Sequence, residues 1–278
     1  MDTQSLFTVK DKVVLVTGGA KGLGLMITTG FVLAGARVYI SSRDRAACES
    51  AASSLNQLAS ATSTATAGGK CIPLPADLSS STECARLAQE IASREKVLHV
   101  LVNNSGATWG ESYASYPDSA WSKLLTLNLQ RVFTLTQALT PLLEKAGELS
   151  KNGNGVVMDP GRVINIGSID GIRVPVMPTF AYSASKAGLH ALSRHLATEL
   201  GPRGVTSNTL ACGPFPSKMM KATLEEFGEE IKAVNPLGRI GTPEDAAGAC
   251  LFLASRAGAF VNGATLTLDG GVALMSKI

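Results

Sequence analysis

The feature that most narrows the possible folds is a glycine-rich turn set directly between a buried strand and a helix. Val13 to Val16 (V-V-L-V) is a short apolar run of mostly β-branched residues, the pattern of a strand buried on both faces. T-G-G-A-K-G-L-G, Thr17 to Gly24, follows at once, and a helix pattern then runs to about Ala34 and closes at Gly35. Glycines at 18, 22 and 24 let the chain turn tightly. They also let a pyrophosphate approach the helix N-terminus, where unpaired N–H groups and the helix dipole favour an anion. Gly18, Lys21, Gly22, Leu23 and Gly24 are therefore candidate cofactor contacts. The spacing is not G-x-G-x-x-G, and position 27 is Ile, so the placement between strand and helix carries the argument.

The same alternation continues along the chain. Arg37 to Ser41 reads as a second strand, Cys71 to Pro75 as a third, Leu98 to Val102 as a fourth and Arg162 to Gly167 as a fifth. Val205 to Leu210 and Ala264 to Leu268 complete the set. Helix patterns fall between them: Asp44 to about Leu58, Thr82 to Arg94, Trp121 to Leu143 ending near Pro141, and Phe180 to about Leu200. Thr242-Pro243-Glu244-Asp245 is a further helix start, with Thr as cap, Pro at the first position and acids in the first turn. Ala59 to Gly69 and Glu144 to Gly161 read as surface loops. The expected fold is α/β: a single doubly wound Rossmann domain over 1–278, mostly parallel sheet, helices on both faces.

Composition excludes several classes. The chain has 278 residues, 45% of them hydrophobic, enough for a large core. Net charge is +3 with no Lys/Arg block, which argues against nucleic acid as the main partner. No apolar run reaches the roughly 18 residues of a membrane span. The N-terminal residues show no basic-then-apolar signal, so a cytoplasmic location is expected. Ser276-Lys277-Ile278 resembles the S-K-L peroxisomal address, and a chance tripeptide is the alternative. The five cysteines have no C-x-x-C spacing and read as buried reduced thiols. His99, His190 and His195 do not pair with acids at metal-ligand spacing, so no metal site is read.

At the second strand's end stand Ser42 and Arg43, where NAD-selective sites carry an acid for the ribose 2′-OH. A guanidinium suits a 2′-phosphate, and Lys21 adds a second charge, so NADP(H) is expected over NAD(H). The competing reading pairs Arg43 with its neighbour Asp44 on a solvated surface. Asp77, followed by Leu78, either accepts a hydrogen bond from the adenine amino group or caps the next helix, a task Ser80 or Ser81 would also serve. Asn103-Asn104-Ser105-Gly106 leaves the fourth strand and either holds the cofactor ribose and the sheet centre or simply turns. Asn128 lies among apolar neighbours in a helix pattern, so it must be bonded: it orders a water or bends the helix.

Ser168 follows the fifth strand, where open parallel sheets place ligands. Tyr182 and Lys186 are four apart and share a helix face. Hydroxyl, phenol and ammonium together form a group able to move a proton to or from a carbonyl oxygen. An ammonium near the phenol favours phenolate and is expected to lower the tyrosine's ordinary pKa of about 10. Gly213 to Ser217 (G-P-F-P-S) opens a segment, about 213–235, with Met219, Met220, Leu224 and Phe227. It is either a lid over an apolar substrate or a packed short helix. Trp109, Tyr113 and Tyr116 either line the pocket or pack a loop.

T-G-G-A-K-G-L-G, N-N-S-G, Asn128, Ser168 and Y-S-A-S-K, in this order over nearly the whole chain, resemble the short-chain dehydrogenase/reductase family, in its shorter branch. G-P-F-P-S-K-M is similar to bacterial and fungal 3-oxoacyl-thioester reductases, including the type linked to rhamnolipid synthesis. The resemblance implies Asn128, Ser168, Tyr182 and Lys186 as the catalytic set, with Lys186 also on the ribose hydroxyls. It implies Asn104, Gly106, Asp77, Leu78, Tyr182 and Lys186 beside the cofactor, and Ser217 near the nicotinamide amide. It further implies a homodimer or homotetramer formed by the helices at 121–143 and 180–200, and a carbonyl or acyl-thioester substrate. The same residues serve alcohol oxidation, and a non-catalytic dinucleotide-binding regulator would lack one of them. Two departures stand out: Ser105 replaces the usual Ala, and Cys212 replaces a Pro before Gly213, removing a rigid turn residue.

Overall fold

The β-branched runs of the sequence pair side by side, each buried on both faces. A computed structural model describes residues 3–61, 68–217 and 220–275. Strands β1 (Val13–Thr17), β2 (Arg37–Ser41), β3 (Lys70–Pro73), β4 (Val100–Asn103), β5 (Gly161–Ile166), β6 (Val205–Cys212) and β7 (Thr265–Leu268) form one seven-stranded sheet. The order is β3-β2-β1-β4-β5-β6-β7 and every pairing is parallel. The helices are α1 (Thr3–Leu6), α2 (Gly22–Leu33), α3 (Arg45–Ala61), α4 (Ser81–Arg94), α5 (Asp118–Leu125), α6 (Arg131–Leu149), α7 (Phe180–Leu200), α8 (Lys221–Ala233) and α9 (Pro243–Ala254). Among the described residues no helix is long and apolar enough to cross a membrane. Met219, the middle of the loop expected at 59–69 and the tripeptide Ser276-Lys277-Ile278 lie outside the described residues.

Successive strand residues point to opposite faces, so one sheet feeds two cores. Val14 and Val16 join Ile27 and Phe31 of α2, Leu55 of α3 and Leu253 of α9. Val13 and Leu15 join Leu87 and Ile91 of α4, Leu135 and Leu139 of α6, and Leu196 and Leu200 of α7. Each such side chain contributes about 1.5–3 kcal/mol of burial. Strand order reverses between β1 and β4, so their C-terminal ends open a crevice between loops that part in opposite directions.

Two expectations need correction. Helix α6 does not stop near Pro141; it continues to Leu149, so residues 144–149 are helix and not loop. Proline costs a hydrogen bond inside a helix, but Leu139, Leu143 and Ala146 carry one buried stripe across it, and that burial outweighs the loss. Helix α3 also runs to Ala61, beyond the expected end near Leu58.

The sheet's other end is held by charge. Arg162 on β5 is 1% exposed and donates to Leu253 O (2.9 Å), Ser255 O (3.0 Å) and the Asp159 carboxylate (2.7 Å). Lys12 reaches the same carboxylate at 2.7 Å. Asp159→Ala leaves a buried guanidinium without its counter-charge and is expected to cost about 3 kcal/mol. Urea unfolding monitored by circular dichroism measures this; a change below about 0.5 kcal/mol, the size of an ordinary surface substitution, contradicts it.

Candidate active site

The crevice is built from the ends of β1 and β4. The Thr17 hydroxyl donates to Val102 O (3.2 Å) and accepts the N–H groups of Asn104 (2.9 Å) and Ser105 (3.0 Å). The Asn104 amide donates back to Thr17 O (2.9 Å) and Gly18 O (3.3 Å). Gly18 has φ +65°, a region costly for residues with a Cβ. At Gly24 a Cβ would collide with Gly18 O, so only glycine lets helix and turn approach this closely. Gly22 and Leu23 open α2, and Lys21 caps it without a side-chain hydrogen bond. The first N–H groups therefore face the crevice uncapped, as an anion-binding turn requires.

The expected 2′-phosphate cations behave differently. Asp44 does not pair with Arg43; its carboxylate takes Lys21 at 2.7 Å, on the exposed surface, and the Ala47 N–H at 3.0 Å. Arg43 enters no ion pair among the described residues. The Ser42 hydroxyl accepts the Asp44 N–H (3.2 Å). Asp77 does not cap α4: Ser80 does, and the Asp77 carboxylate accepts from Ser79 N (3.0 Å) and Ser79 Oγ (2.8 Å). Leu78 beside it is buried.

The reacting end collects on one helix face. Asn128 sits in a π-helical turn, Thr126–Gln130, between α5 and α6. It accepts the Ala107 N–H (2.9 Å) and donates to Ala107 O (2.9 Å) and Ser185 Oγ (3.0 Å). The local helix distortion expected at Asn128 is present as this turn. A Cβ on Gly106 would lie 3.2 Å from Asn128 Oδ1 and 3.8 Å from Lys186 Nζ, so these three groups converge. Lys186 Nζ donates to Ile166 O (2.7 Å) and lies 5.7 Å from the centre of the Tyr182 ring. Ser168 starts a short 3-10 turn, its hydroxyl accepting the Asp170 N–H (3.1 Å).

Protonation differs from expectation. Burial pushes the Tyr182 phenol up to about 12, against the pull of its hydrogen bond with Ser168; Asp170 and Cys212 push it further up. Lys186 does not bring it below its ordinary value. Burial instead lowers Lys186 itself to about 8, with Cys212 acting the other way. Desolvation is the largest cause of both shifts.

The segment after β6 and the loops before α5 and α7 follow. Phe215 is buried, and a Cβ on Gly22 would lie 3.1 Å from Ser217 Cβ, so the start of this segment rests on the glycine turn. Helix α8 kinks at Phe227 (φ −124°, ψ 19°), whose side chain is half-exposed. Tyr116 packs edge-on against Phe180 (5.2 Å), and Tyr113 does so from outside (6.0 Å). Lys123 sits over Trp109 at 5.5 Å. Val174 and Val176 are more than four-fifths exposed in the loop before α7.

Several participants were not read from the sequence. His190 accepts the Ser168 N–H, and Ser185 meets Asn128. Beneath them Asn103 donates to Asn165 (2.9 Å), and Asn165 donates to Ser193 (3.0 Å). The available signal was the four-residue period of α7, which puts Tyr182, Lys186 and His190 in one row.

A family model described as Enoyl-(Acyl carrier protein) reductase matches residues 18–273. The chain is 41% identical to a rhamnolipids biosynthesis 3-oxoacyl-(acyl-carrier-protein) reductase of Pseudomonas aeruginosa, over 95% of this chain and 97% of that protein. It is 32% identical to a galactitol 2-dehydrogenase (L-tagatose-forming) of Cereibacter sphaeroides, over 98% of each. Among solved structures it resembles a Pseudomonas aeruginosa RhlG/NADP active-site complex, with TM-score 0.86, 40% identity, and coverage of 97% of this chain and 99% of that one.

Gly24→Ala forces the turn open against Gly18 O. NADPH binding, followed by nucleotide fluorescence, is expected to weaken by at least about 10-fold, roughly 1.4 kcal/mol. Unchanged affinity in a folded variant contradicts the role given to this turn.

Proposed function

Because the chain belongs to the short-chain dehydrogenase/reductase family, we propose that it is an NADP(H)-dependent oxidoreductase that reduces a ketone to a secondary alcohol, with 3-oxoacyl thioesters as its substrate class. The observation that carries this reading is the convergence of Ser168, Tyr182 and Lys186 at the end of β5, with Tyr182 hydrogen-bonded to Ser168 and the Lys186 ammonium 5.7 Å from the centre of the Tyr182 ring. The 41% identical relative, a 3-oxoacyl-(acyl-carrier-protein) reductase, supports the substrate class, as do the exposed apolar side chains of Val174 and Val176 in the loop between Ser168 and α7 and of Phe180 at the start of α7.

The residues present fit the cofactor. A glycine cradle that a Cβ would fill faces the uncapped start of α2, and Arg43, beside Ser42, enters no ion pair among the described residues. Gly18, Gly22, Leu23 and Gly24 would hold the pyrophosphate, Arg43 the 2′-phosphate, Asp77 and Leu78 the adenine, and Asn104, Gly106 and Lys186 the ribose. Ser217 would stand at the nicotinamide amide. Lys21 contributes to the 2′-phosphate only by leaving Asp44. Bound NADPH supplies the hydride that the carbonyl carbon accepts.

The chain's own groups manage the oxygen. The Ser168 hydroxyl donates to the carbonyl oxygen and holds it as negative charge develops. Tyr182 then passes its phenolic proton to the nascent alkoxide. A phenol with pKa about 12 is protonated throughout the neutral range, so its resting state is that of a general acid. Lys186, at about 8, is mostly ammonium at pH 7 and offsets the phenolate charge left behind. Asn128 holds the Ala107 loop against α7. We further place the reaction in the cytoplasm and in a homo-oligomer whose subunits meet over half-exposed Trp121, Leu125 and Phe133.

An NADPH-oxidation screen over acetoacetyl-CoA and longer 3-oxoacyl-CoA thioesters, hexulose and keto-sugar-acid substrates, cyclic ketones and quinones tests this reading. Thioester turnover with NADPH preferred to NADH is expected; turnover of sugar ketones alone contradicts the substrate class, and equal use of NADH contradicts the role of Arg43. Tyr182→Phe should lower kcat by about 10²–10⁴. Reduction should hold to near pH 8 and fall above it, as Lys186 loses its proton. A rate still level well above that pH contradicts the role of the ammonium.

A further inference from the structure

His190 lies on α7, one turn beyond Lys186 and two beyond Tyr182, and is 4% exposed. Its Nε2 faces the backbone N–H of Ser168 at 3.4 Å, across 22 residues of sequence. The two glycines flanking Ser168 in the β5–α7 connection make room for the ring. A Cβ on Gly167 would collide with His190 Nε2 and approach Cδ2 at 2.9 Å, and one on Gly171 would approach Cε1 at 2.9 Å. The imidazole therefore fills the space under the turn that carries the Ser168 hydroxyl, bounded by glycines before and after.

We propose that His190 is a positioning residue for the carbonyl-binding serine: its ring nitrogen accepts the Ser168 N–H and fixes the turn Gly167–Gly171, so that the Ser168 hydroxyl stays aimed at the substrate oxygen and at Tyr182. This inference rests on the reading of Ser168 as the group that holds the carbonyl. Three facts support it. The Ser168 N–H sits in a buried turn, where an unmade hydrogen bond would cost about 1–3 kcal/mol. Burial, followed by the charges of Lys186 and Arg194, holds the imidazole down to about 4, so the ring is neutral and its nitrogen is free to accept. Finally, the Ser168 hydroxyl accepts the Asp170 N–H (3.1 Å) within the same turn, so a tilt of the backbone moves the hydroxyl directly.

The experiment compares His190→Leu and His190→Gln with the parent and with Ser168→Ala. It uses the full chain, NADPH and acetoacetyl-CoA, with amide hydrogen exchange at Ser168 read by nuclear magnetic resonance. In His190→Leu the Ser168 amide should exchange at least about 10-fold faster, since a protecting hydrogen bond is lost. Its kcat should fall about 10- to 100-fold with KM within about 2-fold, the pattern of a reacting group displaced by a fraction of an ångström. His190→Gln supplies an amide oxygen as acceptor and should recover protection and most of kcat. An unchanged Ser168 exchange rate in folded His190→Leu overturns the inference, as does full kcat in that variant when Ser168→Ala is impaired. If Ser168→Ala itself keeps full kcat, the reading of the serine fails, and the exchange rates alone judge the His190 contact. The same holds if acetoacetyl-CoA is not reduced.

Discussion

The site depends on one close packing: helix α7 pressed against the C-terminal end of β5. A Cβ on Gly171 would lie 2.8 Å from backbone atoms of Lys186 and Ala187, so no other residue lets the helix come this near. At that distance Lys186 reaches Ile166 O at 2.7 Å and the row Tyr182, Lys186, His190 faces the strand end. One turn further, Ser193 meets Asn165 and Ser207, extending the same contact into a buried polar network across β4, β5 and β6. Buried hydrogen bonds of this kind tolerate little displacement, because each one broken strands a polar group without water. The helix is thus fixed in depth and rotation, and three side chains inherit that precision.

The same packing sets the electrostatics. Bringing a phenol and an ammonium out of water penalises the charged form of each, so the tyrosine moves up and the lysine down. Cys212, in place of a turn proline, belongs to this environment. Its thiol is pushed up to about 12 by burial, with Lys186 pulling the other way, so it sits beside the lysine as a neutral group. The result is a pocket in which the tyrosine keeps its proton at neutral pH, the state a ketone-reducing site needs.

Local patterns made most of the fold legible. The V-V-L-V run, the glycine turn and the Thr242-Pro243 start with its Asp245 capping box are decided within a few residues, and each lies where sequence reasoning put it. Pro141 misled because its cost is local, whereas the buried stripe that overrides it is tertiary. Lys21 and Asp44 are 23 residues apart, and only the meeting of the first turn with the end of β2 makes them a pair. His190 went unread for a similar reason. A histidine four residues past Lys186 looks like ordinary helix until the strand that it faces is known. Spacing shows that Lys186 is near Tyr182, but not how far desolvation moves each group.

The central claim, that burial keeps Tyr182 protonated, can be measured directly. The chain has four tyrosines, so carbon-13 labelling at the ring Cζ gives few signals, and Tyr182→Phe assigns the one that matters. The account predicts that the Tyr182 signal remains that of a protonated phenol from neutral pH to well above the ordinary tyrosine value of about 10, approaching its midpoint only near 12. A midpoint near neutral pH would show that the Lys186 charge outweighs burial and would contradict it.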